Sequence, residues 1–193
     1  MKPKDFTPRL RSTLFTALTG RAGDVSGKAD ADPAGMLLAA FGEGRRGGVN
    51  TRAAAQGLGV SQRTVQRWLA PEGHQRSRPS AGHRKTLTAS ARRAATTKQG
   101  RRRALADARD GAKARRITRL SVTGMQGPTV DGKEYRRYRK VDINLDPDAV
   151  ESMWGAYEDG GDKGLVSWLA GYAGDEYVPD WGFDSIDDLQ LGR

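Results

Sequence analysis

Cysteine is absent, so neither a disulfide nor a thiolate metal site can form. With only two histidines, His74 and His83, a histidine-rich metal site is excluded as well. No stretch approaches the ~20 apolar residues of a membrane-crossing helix, and the opening MKPKDF has no apolar signal core. The expectation is a soluble, cytoplasmic protein with no membrane partner. Hydrophobic residues make up 36% of the 193 positions and aromatics 7%, which is low for a single compact core and predicts two small ones. Acid is scarce over most of the chain. Residues 1–140 hold 10 acidic against 31 basic side chains, a net of +21, whereas residues 141–193 hold 13 against 2, a net of −11. A polyanion partner accounts for the first part, since each phosphate contact releases counterions, and it predicts a nucleoid-associated protein. The acidic end should face something else.

What the sequence does contain is concentrated in residues 51–69, TRAAAQGLGVSQRTVQRWL, which read as two short helices joined by a tight turn. Ala54 and Leu58 share one face of the first helix, Gly59 supplies a left-handed turn residue, and Val60 packs into the joint. Ser61 caps the second helix, and Val65, Trp68 and Leu69 form its buried side. The remaining face is Gln62, Arg63, Thr64, Gln66 and Arg67, and with Ser61 at its start and Arg52 on the first helix these are the expected DNA contacts. Such a helix-turn-helix presents these groups to the major groove, where Arg forks onto guanine, Gln onto adenine, and Thr can bond a phosphate. A helical hairpin inside an all-α core could show the same apolar spacing. The outward face carries no acid, however, whereas an ordinary solvated face mixes signs.

Before this unit, Phe6, Leu10, Leu14 and Leu18 recur on one helix that Gly20 stops. Residues 20–32 read as a linker. Asp32 and Pro33 then start a helix to about Phe41, whose Met36, Leu37, Ala40 and Phe41 would support the motif. The loop GEGRRGG at 42–48 has glycines too irregular for a phosphate cradle. Beyond Leu69, residues 71–116 hold 14 Arg or Lys against Glu72, Asp107 and Asp110, with few large apolar residues. That composition predicts a core-less linker or an arm along the phosphates, helical at 89–95 and 104–114, with Arg92, Arg93, Arg101, Arg102 and Arg103 as its DNA contacts.

From Ile117 the period changes. ITRLSVT and EYRRYRKVDINL alternate as a two-stranded ribbon around a turn-rich GMQGPTVDGK. A helix from Asp146 carries Val150, Met153, Trp154 and Tyr157 and ends at Gly160; a second from Asp162 carries Leu165, Val166, Trp168, Leu169 and Tyr172. FDSIDDLQL at 183–191 returns as a third strand. The predicted fold class is therefore α+β: a helical DNA-binding domain over 1–70, a basic arm over 71–115, and a small acidic β-β-α-α-β domain over 116–193. Asp142, Asp146 and Asp148 could be imagined as the carboxylate cluster of a nuclease or recombinase-like enzyme. Helix capping explains Asp146 and Asp148 equally, and no catalytic residue, metal or cofactor is expected. The aromatic residues at helical spacing read as core rather than as a base-stacking platform.

The succession GVSQRTVQRW, ARRAATTKQG, RRITRLSV before a ribbon, and an aromatic-rich helical tail resembles the terminal proteins that cap linear actinobacterial, Streptomyces-type chromosomes and plasmids. The likeness spans roughly residues 50–193. It implies a helix-turn-helix protein joined through a side-chain hydroxyl to a DNA 5′ end, priming end-patching synthesis with a telomere-binding partner and a polymerase. In the family the linked Thr lies shortly before the segment matching ITRLSV; here ADARDGAKARR offers no hydroxyl between Thr97 and Thr118. The partners implied are double-stranded or telomeric single-stranded DNA and a telomere-binding or replication protein at the acidic domain, which could also serve a homodimer. A transcriptional regulator or plasmid-maintenance repressor is the alternative.

Overall fold

The computed structural model describes residues 7–28, 30–71, 74, 76–109 and 117–192. The chain is α+β: among the described residues seven helices accompany a five-stranded antiparallel sheet, with about 52% helix and 18% strand. The helices before the sheet are α1 (Pro8–Thr19), α2 (Pro33–Phe41), α3 (Thr51–Leu58), α4 (Gln62–Leu69), α5 (Ala81–Thr96) and α6 (Lys98–Leu105). Then come β1 (Arg119–Val130), β2 (Lys133–Glu134), β3 (Arg137–Asn144), α7 (Pro147–Glu176), β4 (Trp181–Phe183) and β5 (Asp188–Gly192). Among the described residues no helix is long and apolar enough to cross a membrane.

Local chemistry sets the helix ends as expected. Thr7 caps α1 by accepting from the Leu10 N–H, and Gly20 at φ 67 closes it. Asp32 caps α2 through the Gly35 N–H, with Pro33 in the first turn. Phe6, the first apolar position expected in α1, lies outside the described residues. The stretch after Gly20 is more than a linker: Val25 and Arg21 are buried there. The Arg21 guanidinium donates to the Ala39 carbonyl at 3.3 Å, the Arg103 carbonyl at 3.2 Å and the Asp107 carboxylate at 3.2 Å, joining α2 to the end of α6.

Two apolar clusters form. One gathers Phe15, Met36, Leu37, Ala54, Leu58, Val65 and Trp68 from the first four helices. It also takes Leu87, Ala91, Ala94, Ala95 and Ala104, so α5 and α6 are core helices and the expectation of a core-less stretch at 81–105 is overturned. Alanine explains the miss, because its small side chain lets helices approach closely while registering weakly as apolar periodicity. The second cluster packs Leu120, Val122, Ile143, Met153, Trp154, Tyr157, Leu165 and Phe183 between the sheet and α7. Leu10, Leu14 and Leu18 of α1 and Leu105 of α6 belong to this cluster. Helix α1 is thus shared, with Phe15 turned to one cluster and the leucine stripe to the other.

β1 is the central strand. β2 and β3 pair with it in one continuous register from Val130↔Lys133 to Arg119↔Asn144, so the hairpin is far longer than its turn-rich sequence suggested. The turn proper is Asp131-Gly132, with φ 49 and 73, the two positive values of a type I′ connection that matches strand twist. On the other side, β4 pairs at Gln126↔Phe183 and β5 at Thr123↔Asp188. The tail expected as one strand therefore forms two, separated by a bulge at 184–187 that crowds Gly124: a Cβ there would stand 2.2 Å from the Ser185 carbonyl oxygen. Helix α7 is broken at Gly161, at φ 62 and ψ −145, into the two helical segments the sequence predicted.

Candidate nucleic-acid interface

Helices α3 and α4 meet through a three-residue joint. Asn50 caps α3 by accepting from the Ala53 N–H at 3.0 Å. Gly59 takes the left-handed conformation, φ 65 and ψ 32. Its N–H reaches the Gln56 carbonyl at 3.4 Å and the Val60 N–H the Ala55 carbonyl at 3.1 Å, the paired closure that satisfies a helix end. Ser61 then opens α4, its hydroxyl accepting from the Thr64 N–H at 3.0 Å. Val65 and Trp68 are buried below, on α2 and α3. Gly57 leaves room for Phe41, since a Cβ there would stand 2.4 Å from that ring.

The outward residues divide by what they already hold. The hydroxyls of Ser61 and Thr64 lie 2.8 Å apart, and the Gln62 amide donates to the Thr51 hydroxyl at 2.8 Å, locking the first turns of α3 and α4 together. Thr64 is half-buried and its oxygen is engaged, so of these three Gln62 and Ser61 are the ones at the open surface. Arg63, Gln66 and Arg67 are exposed at i, i+3 and i+4, with Arg52 exposed on the first turn of α3. None of these four has an ion-pair partner among the described residues.

Arg45 and Arg46 were missed by the sequence reading. The 42–48 loop is pinned by the Glu43↔Val49 bridge and by the Gly44 N–H to Gly48 carbonyl bond at 2.9 Å, which holds both arginines exposed just ahead of α3. The signal was an arginine pair set among turn glycines.

The five arginines assigned to the arm do not form one set. Arg101 is buried and donates inward, to the carbonyls of Glu158, Asp159 and Ala95, so it is withdrawn as a DNA contact. Arg102 is exposed but lies 3.9 Å from Glu158, and Arg103 is exposed. Arg92 and Arg93 are exposed on α5, beside an open groove of about 720 Å³ that Lys85, Thr88 and Thr96 also line. Gly27, at φ +75, lies beside the Arg92 stem, since a Cβ there would stand 3.3 Å from Arg92 Cδ. The start of α5 stands next to α4, with the His83 and Trp68 rings 5.5 Å apart and the Ser77 N–H closing on the Arg67 carbonyl at 3.1 Å. If Arg92 and Arg93 lie along phosphates, the double variant Arg92→Ala/Arg93→Ala should flatten the slope of log affinity against log salt by about 2, at ~0.9 per phosphate. An unchanged slope in a duplex titration would remove α5 from the interface.

The acidic end behaves differently from expectation. Much of its charge meets the chain's own cations: Lys98–Asp159 at 2.6 Å, Arg109–Glu151 at 3.1 Å, Arg11–Asp162 at 3.1 Å, and the Arg109–Glu158 pair. The surface foreseen for a partner protein is therefore in part an internal seam between α7 and helices α1 and α6. Of the three carboxylates considered for a metal cluster, Asp142 and Asp146 are already engaged. Asp146 caps α7 through the Ala149 N–H at 2.7 Å. The Ser121 hydroxyl, with Arg119 and Lys140 beside it, holds the Asp142 carboxyl below the usual carboxylate range.

Compared with known proteins, the chain matches no family model, no curated protein and no solved structure.

Proposed function

We propose that the chain is a DNA-binding protein of two domains, in which α3 and α4 act as a helix-turn-helix and α4 enters the major groove. The observation that carries this reading is the acid-free exposed face of α4, flanked by Arg52, Arg45 and Arg46 and followed by the cationic side of α5. A recognition helix needs such a face, because base edges are read by forked Arg and Gln donors while surrounding cations fix the register on phosphates. Selection of bound duplexes from a randomised pool tests it: a shared motif that footprints over about one helical turn supports the reading, and an unenriched pool removes it.

Within that function, the role of a telomere terminal protein that caps 5′ ends and serves as a hydroxyl-bearing primer is supported by the order of its segments. Nuclease digestion of protein from its native host followed by intact mass decides it, since a terminal protein retains a nucleotide. A specific observation favours the alternative of a transcriptional regulator or plasmid-maintenance repressor. The Thr97 hydroxyl donates to the Arg93 carbonyl at 3.0 Å and accepts from the Gly100 N–H at 3.0 Å, capping α6, and no hydroxyl occurs from Lys98 to Ile117.

A further inference from the structure

The sheet has two unlike faces. Leu120, Val122, Val141 and Ile143 point to α7 and are buried, so the alternate residues Ser121, Thr123, Met125, Tyr138 and Lys140 form the other face, half-buried or exposed. Tyr138 is 63% exposed, the most exposed large hydrophobic residue described. Its ring stacks on no other ring and lies under no guanidinium among the described residues. The free edge of β3 offers less, because Tyr172 donates to the Asn144 carbonyl at 3.1 Å and Tyr177 to the Asp142 carbonyl. A second chain therefore meets this sheet more readily on its face than along that edge.

Charge on the open face is mixed, and it is sorted by strand. Thr123 pairs with Lys140 of β3 on one side and with Asp188 of β5 on the other, so the two stand about 10 Å apart across β1. Neither is spent. Lys140 has only a long 3.8 Å pair with Asp142. Asp188 is in no ion pair among the described residues and accepts from the Gln190 amide at 2.7 Å. Toward the hairpin turn the sorting repeats. Arg136 lies across Gly182, on the side away from buried Trp181 and Phe183, with Asp184 of the bulge 3.8 Å from it. Lys140 and Arg136 thus lie on the β3 side of β1, and Asp184 and Asp188 on the β4–β5 side. Asp142, on β3, is the exception, and Ser121 and Arg119 already hold it.

We propose that the chain dimerises through this face, sheet on sheet, about a two-fold axis that runs along β1 over Thr123. Rotation about that axis exchanges the β3 side for the β5 side, which sets Lys140 of each copy opposite Asp188 of the other, and Arg136 opposite Asp184. Met125 then meets Met125 at the axis. Tyr138, which pairs with Met125, covers the other copy's bulge, whose Asp184 N–H bonds the Met125 carbonyl at 2.8 Å. An axis across the strands would instead bring Lys140 onto Lys140 and Asp188 onto Asp188, so charge selects one operator. Aligned sheets pack about 10 Å apart, a gap that Lys and Asp side chains span together. A polyanion fits this face worse, since it would meet Asp142, Asp184 and Asp188 along with the cations. Three strands wide and from Arg119 to Gln126 long, the face measures roughly 14 by 27 Å, or about 400 Å² per copy. That is the small end of specific interfaces, which predicts a reversible, concentration-dependent dimer.

The test is sedimentation of the full chain without DNA, from low micromolar concentration to the solubility limit, so it does not depend on the role of α4. Wild type should shift from monomer to dimer. Lys140→Asp and Asp188→Lys should each weaken the dimer by at least about tenfold, because each sets two like-charge contacts across the axis. The double variant Lys140→Asp/Asp188→Lys should return to within about threefold of wild type, and the two single variants mixed in equal amounts should form a heterodimer. Misfolding cannot mimic this rescue, which depends on the sign of both charges. A wild-type chain that stays monomeric throughout would overturn the proposal. So would a dimer indifferent to either single reversal, or one that the double reversal fails to restore.

Discussion

Replacing Arg101 with methionine is expected to destabilise the protein by about 3 kcal/mol and to lower its melting temperature by roughly 6–12 °C for a chain of this size. Arg101 is 6% exposed, and its guanidinium makes four hydrogen bonds to main-chain carbonyls: two to Glu158 at 3.0 and 2.8 Å, one to Asp159 at 3.2 Å and one to Ala95 at 3.2 Å. Glu158 and Asp159 end the first segment of α7, just before the break at Gly161, and Ala95 stands near the end of α5. One side chain therefore satisfies the orphan carbonyls of two helix ends at once, and its Cζ lies 5.8 Å from the Tyr157 ring centre. Methionine fills much of the volume but leaves those carbonyls buried without donors. Lysine should not rescue, because one ammonium cannot span the fork's three acceptors. The neighbouring exposed Arg103→Ala should stay within about 0.5 kcal/mol. A melting curve for Arg101→Met that overlays wild type, together with weakened DNA binding, would restore Arg101 to the interface.

Arg101 also shows where a sequence stops being legible. RRR at 101–103 looks like one basic cluster, yet a helix turns consecutive residues about a third of a circle apart. One of the three faces inward and two face solvent. Charge counting over a segment treats every cation as if it faced water, and for the same reason it could not show Asp159 on Lys98 or Asp162 on Arg11. Nor could it show that a fragment beginning at residue 116 would leave Leu10, Leu14, Leu18 and Leu105 out of the sheet's own core. By contrast, α3 and α4 were readable almost to the residue. Their boundaries are set by local chemistry, the Asn50 and Ser61 caps and the Gly59 turn, and Leu58, Val65 and Trp68 mark their buried sides. The sheet lies between these extremes. Strand alternation was visible, and Asp131-Gly132 was a hairpin signal hidden among three neighbouring turn formers, Gly124, Gly127 and Pro128. The bulge at 184–187 depends on a long-range approach to Gly124, which no local pattern announces.

The same contrast governs α4. Its face is close to what the sequence promised, but the structure divides it into groups that hold the motif together and groups left for a ligand. Ser61, Thr64 and Gln62 are bonded to one another or to Thr51. Arg63, Gln66 and Arg67 remain. Arg63→Ala and Gln66→Ala should therefore each remove about 1–3 kcal/mol of preference for the cognate duplex over unrelated sequence, roughly five- to hundredfold or slightly more. Because the residues are three apart and meet neighbouring base steps, the double variant should fall short of the sum of the two. Nonspecific binding should largely survive on Arg45, Arg46, Arg92 and Arg93, which touch phosphate in this reading, so the loss appears as relaxed discrimination at nearly constant total affinity. Arg63→Lys should not restore it, since a single ammonium cannot reproduce the bidentate fork on guanine. Both side chains are exposed, so melting temperatures should hold and the effect can be read as recognition. Should both alanine variants protect the selected site like wild type in a footprint, α4 is not the reading helix.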